Sequence, residues 1–124
     1  MAGWTALPSP RMRNRRRFVR VRARLRFTFA WGEQFELYAT EDVSASGALV
    51  RRVEAPLTLP ALGAEGECAF TVDGAEVRTG ARVVRVTRDG FAVRFLGLPR
   101  GLEDKLVAFV FRMEAQALSR RMPA

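Results

Sequence analysis

Between Val21 and Trp31 the chain alternates without a break: Val21, Ala23, Leu25, Phe27, Phe29 and Trp31 take every second place, with Arg22, Arg24, Arg26 and Thr28 between them. A period of two is that of a strand, whose successive side chains point to opposite faces. A helix would spread both sets around its axis. The segment therefore reads as a half-buried strand, apolar side in and guanidiniums in water. After a turn at Gly32-Glu33 the same period resumes at Phe35, Leu37 and Ala39 and runs to Thr40, forming a hairpin.

Further strands follow. Ala48 to Val53 comes after the loop Asp42 to Gly47, and Pro56 and Pro60 bracket a stretch that crosses a barrel end, because proline cannot serve an interior ladder. Asp73-Gly74 separates Cys68-Phe70-Val72 from Val77-Thr79-Ala81-Val83, and Asp89-Gly90 separates Val84-Val86 from Phe91-Val93-Phe95. Both dipeptides favour type I′ turns. The apolar face switches from Val83 to Val84, which signals a bulge of the kind that bends a strand to close a barrel. The sum is an all-β chain of six antiparallel strands.

Beyond Gly97-Leu98-Pro99 the period becomes helical. Leu102, Leu106, Phe109, Val110, Met113 and Ala117 share a face that caps the barrel or binds another helix. The organisation expected is a flexible arm over residues 1–14, a folded domain over 15–119 with its barrel at about 21–97 and its helix at about 101–119, and a tail over 120–124.

Composition narrows the function. At 124 residues with 48% hydrophobic content, the chain suits one folded domain. A net charge of +8, carried almost wholly by arginine, points to an anionic partner. There is no histidine, and Cys68 is the only cysteine, so a zinc site and an internal disulfide are not expected. The chain also shows no nucleophile elbow, P-loop or close carboxylate pair, so no enzyme, metal or cofactor is expected. Arg15-Arg16-Arg17-Phe18 is not followed by the apolar stretch of an export signal, and no run is long enough to span a bilayer. A cytoplasmic protein is expected.

Two segments carry chemistry. Asp42-Val43-Ser44-Ala45-Ser46-Gly47 concentrates a carboxylate, two hydroxyls and a glycine where the chain turns. Asx- and ST-turns explain such a loop structurally, with glycine supplying positive φ. As a site, Asp42 would accept the N–H groups of a base while Ser44 and the backbone near Gly47 meet a polar ligand. Arg15 to Arg20 precedes the first strand. It reads either as a solvated arm or as a pair of guanidinium forks for phosphate and the O6/N7 edge of guanine, an edge at which adenine offers a donor instead.

In order and spacing these segments resemble the PilZ domain family, in which an RxxxR arm precedes a barrel whose second and third strands are joined by [D/N]xSxxG, with a helix after the barrel. Here the motifs are Arg16-Arg17-Phe18-Val19-Arg20 and Asp42-Val43-Ser44-Ala45-Ser46-Gly47, and the resemblance runs from about Arg13 to Ala117. Several registers satisfy RxxxR, Arg13/Arg17 among them, but Arg16/Arg20 ends directly at the first strand, as in the family. Gly90 to Leu96 is similar to the family's GxGxxF strand, with Ala92 replacing the second glycine.

The resemblance implies a six-stranded PilZ-type barrel that binds cyclic di-GMP on its outside. Arg16 and Arg20 would contact guanine and phosphate, Asp42 and Ser44 would bond a guanine, and Gly47 would permit the loop's shape; Arg13, Arg17 and Ser46 are additional candidates. Such a bacterial receptor signals by conformation to a protein partner, in motility or biofilm regulation. Two alternatives stand beside it. One is an adaptor that no longer binds nucleotide and docks a partner through Leu106, Phe109, Val110 and Met113. The other, weaker, is a nonspecific nucleic-acid binder using the arginine arm, with Phe27, Phe29 and Trp31 for stacking.

Overall fold

A computed structural model describes residues 19–53 and 58–121. The strands are β1 (Val21–Arg22), β2 (Arg26–Trp31), β3 (Gln34–Val43), β4 (Gly47–Arg52), β5 (Glu65–Val72), β6 (Ala75–Val86) and β7 (Gly90–Leu96), and helix α1 follows at Arg100–Arg121. All pairings are antiparallel and run β1-β3-β2-β5-β6-β7-β4, with β4 returning to β3 to close the ring. Strands β1 and β2 pair with the same side of β3, so they are one barrel strand in two pieces. The result is the expected six-stranded closed barrel.

The first strand breaks where the uniform alternation of its sequence gives no warning. Over Ala23–Leu25 a side chain replaces part of the ladder: the Leu25 amide donates to Thr40 Oγ1 at 2.7 Å, and that hydroxyl donates to the Ala23 carbonyl at 2.5 Å. Opposite the break, β3 shifts register between Thr40 and Asp42. The Thr40 hydroxyl thus pairs backbone groups on both sides of Arg24 that the ladder leaves open.

In β3 the period is as expected, but the face is reversed. Tyr38 and Thr40 are buried, whereas Phe35 is 68% exposed. Residues directly opposite one another in an antiparallel pair share a face. The Gly32-Glu33 turn pairs Phe27 with Tyr38, so the inward phenylalanine brings the tyrosine inward with it. The second strand also extends past Thr40 to Val43.

The hairpin at Asp73-Gly74 has positive φ at both central residues, 51° and 79°, as a type I′ turn requires. The other expected I′ turn is different. Val86 pairs with Phe91 and the Thr87 amide donates to the Gly90 carbonyl at 2.9 Å, which places Arg88 and Asp89 at the turn's centre and Gly90 in β7. Gly90 serves packing, since a Cβ there would collide with the Val50 carbonyl of β4. The expected bulge in β6 is present, with a register shift between Val83 and Arg85.

Aromatic side chains fill the barrel. Phe70 stacks between Phe27 and Phe95, with centroids 5.9 and 5.6 Å away, and Phe91 meets Tyr38 edge-on at 4.8 Å. Pro60 is fully buried, and the Tyr38 hydroxyl donates to the Thr58 carbonyl at 2.7 Å, fixing the described part of the crossing segment to the core; Pro56 lies outside the described residues. Helix α1 buries Leu106, Phe109 and Val110 and packs against β1 and β5. Arg112 reaches Asp73 in the β5–β6 turn at 2.5 Å. Beyond Met113 the helix outruns the barrel, so Ala117, expected on the inner face, is exposed.

Candidate functional site

The Asp42–Gly47 loop joins β3 to β4 and is held from within. Ser44 is 1% exposed. Its Oγ accepts from the Ser46 and Gly47 amides, each at 3.2 Å, and lies 3.0 Å from Ser46 Oγ. The Ser44 amide donates to the Gly47 carbonyl at 2.9 Å, and the Phe95 amide donates to the Ser46 carbonyl at 2.8 Å, tying the turn to β7. The Ser44 hydroxyl thus organises an ST-turn.

Gly47 is required for a reason other than positive φ. Its backbone is not left-handed, but a Cβ would lie inside van der Waals contact with the Val93 carbonyl oxygen, because β4 crosses β7 closely there. Ala92, on the same strand β7, is buried and pairs with Leu49, so its methyl fits the packing.

Asp42 is half-buried near the end of β3, and its carboxylate makes no hydrogen bond or ion pair with a described residue. Its register partner is Arg22, and Val21 pairs with Val43. Arg20, exposed and one residue earlier, is thereby brought to the Ser44 end of the loop. Register therefore brings together three of the expected elements: the guanidinium ahead of β1, the carboxylate ending β3 and the hydroxyl-lined turn. Arg13, Arg16 and Arg17 lie outside the described residues.

Beside this loop is a feature the linear sequence hid. A cleft of about 860 Å³ is lined by Arg22, Ala23, Arg24, Ala39, Thr40, Glu41, Arg51, Arg52, Val53, Arg88 and Asp89. Its walls come from four separate stretches of chain, joined by the β3–β4 register and the Arg88-Asp89 turn. No sequence spacing announces it.

The chain folds as a small closed β-barrel, an architecture that leaves function to its loops and flanking segments. The chain belongs to the PilZ domain family, whose model matches residues 14–112, and that family comprises cyclic di-GMP receptors. The fold is similar to the Bacillus subtilis inhibitor of motility MotI/DgrA, with a TM-score of 0.70 and 18% identity over 79% of this chain. The match covers 50% of that protein, so this chain spans about half its length. It is also similar to the PilZ domain of CeSA from a cellulose-synthesizing bacterium, with a TM-score of 0.59 and 24% identity over 77% of this chain and 97% of that one. No curated protein matches the chain in sequence. No described helix is long and apolar enough to cross a membrane.

Proposed function

We propose that the chain binds cyclic di-GMP at the Asp42–Gly47 loop and signals through the resulting change in conformation. The observation that carries this reading is the Asp42 carboxylate, which has no partner among the described residues although it stands opposite Arg22 and near Arg20. A carboxylate accepts the paired N–H donors of a guanine edge, and an arginine fork donates to O6 and N7 or to phosphate. In this reading Asp42 and Ser46 face the base, Ser44 sets the turn that presents them, and Arg20 and Arg16 close over the ligand, with Arg13 and Arg17 nearby. The segment ahead of β1 changes position when the ligand arrives, and a partner protein reads that change.

The rival readings are less well supported. Phe27 and Phe29 are fully buried, which leaves no stacking platform for single-stranded nucleic acid on that face. The helix residues an adaptor would offer, Leu106, Phe109 and Val110, already pack on the barrel.

Isothermal titration at physiological salt tests the proposal. Cyclic di-GMP is expected to bind saturably, with cyclic di-AMP and random single-stranded DNA inert. Arg20→Ala and Asp42→Ala are each expected to weaken binding by at least about tenfold, the loss of one charge-assisted contact of roughly 1.5–3 kcal/mol, with unchanged circular dichroism. Silence toward cyclic di-GMP, or full affinity in both variants, would overturn the proposal.

A further inference from the structure

We infer that the outer face of β2, β3 and β5, centred on Phe35, is a self-association surface that takes a second copy of this chain. The inference does not rest on the nucleotide reading, since Phe35 and Asp42 stand toward opposite ends of β3, roughly 20 Å apart along the strand.

Register defines the face. Phe27, Phe29, Tyr38, Cys68 and Phe70 are buried in the barrel, so the residues alternating with them point outward. Phe35 pairs with Ala30, Ala30 with Glu67, and Glu67 with Gly80. In the next row Leu37 pairs with Thr28, Thr28 with Ala69, and Ala69 with Arg78. Residues so paired share a face. Its centre is apolar or small, because the Thr28 hydroxyl turns aside to donate to the Ala69 carbonyl at 3.4 Å. Phe35 is 68% exposed although it lies within a strand. A contiguous apolar patch rimmed by charge marks an interaction site.

Shape and charge select the partner. Phe35 projects beside Ala30, Thr28 and Ala69, which are all small, so a raised ring adjoins a low strip. A two-fold contact brings one patch against itself and needs projection and seat on the same surface. Around the strip, Arg26, Arg78 and Arg82 stand against Glu65, Glu67 and Glu76, three charges of each sign. Arg78 is 2.6 Å from both Glu67 and Glu76, and Arg82 is 3.4 Å from Glu65. The whole chain carries a net charge of +8, so its basic surfaces repel a copy. A face balanced in charge admits one, and it offers a polyanion or an anionic membrane no attraction. Three strand spacings make the face roughly 15 Å wide, well short of the ~800 Å² per partner of a stable complex. The dimer is therefore weak and exchanges with monomer.

Sedimentation velocity of the full chain without nucleotide tests this over roughly 10 μM to 1 mM, the range of weak association. The weight-average sedimentation coefficient is expected to rise with concentration toward that of a dimer. Phe35→Asp is expected to raise the dimer dissociation constant by at least about tenfold, with unchanged circular dichroism and unchanged affinity for cyclic di-GMP. Glu67→Arg, which upsets the charge balance of the rim, should weaken the dimer in the same direction. A wild-type coefficient that stays monomeric to the highest concentration, or dimerisation undiminished in Phe35→Asp, would overturn the inference. Failure of cyclic di-GMP to bind would instead count against the receptor reading alone.

Discussion

Gly47 shows how a glycine can be required in a loop without a left-handed backbone. In the sequence it closes a loop of turn-forming residues, and a left-handed backbone was the natural reason for it. In the barrel it is the place where β4 passes so near Val93 that no side chain fits. Gly47→Ala is therefore expected to destabilise the fold by about 1–3 kcal/mol, the usual range for overpacking, read as a lower urea midpoint with unchanged slope. A wild-type midpoint would refute the close-approach account. Asp42 was legible as a candidate because a carboxylate between strand and turn stands out. That it stands opposite Arg22 with no partner among the described residues is a tertiary fact, set by the β1–β3 register.

Among the elements, β3 and α1 show where period suffices and where it does not. Alternation identified β3 as a strand but could not choose between Phe35-Leu37-Ala39 and Tyr38-Thr40, because both sets are compatible with a half-buried surface. The hairpin register chose. In α1, Leu106 is fully buried while residues 115–120 are exposed. Leu106→Ala is expected to cost about 2–5 kcal/mol, whereas truncation after Met113 should lower stability by less than about 1 kcal/mol, as surface changes do. Both are measured by chemical denaturation. A truncation as costly as Leu106→Ala would mean that the last turns of the helix contribute to the core.

At the scale of the whole molecule, two titratable groups share the barrel interior. Burial pushes the Cys68 thiol up to about 12. Burial first, then the Glu36 charge, moves the Tyr38 phenol upward as well. Both groups lose their protons first in the unfolded chain, so their contribution is complete below pH 9.0, the thiol's ordinary value, and declines as pH rises toward 12. Each lowers stability by at most about 1.4 kcal/mol per pH unit once ionised in the unfolded chain alone. Urea midpoints are expected to fall between about pH 8 and pH 11, and Cys68→Ala should flatten the part of that decline that begins near pH 9.0. An unchanged slope in the variant would show that the thiol is not responsible.

Local pattern alone determined the strand count, the Asp73-Gly74 turn, the β6 bulge, the helix and the loop between the second and third strands, because each depends on residues close in the chain. Tertiary structure decided the inward face of β3, the break over Ala23–Leu25, the role of Gly90 and the arginine cleft. Those features depend on which residues stand opposite one another after the barrel closes, and closure joins β4 to β3 and β7 through hydrogen bonds whose register no single segment encodes.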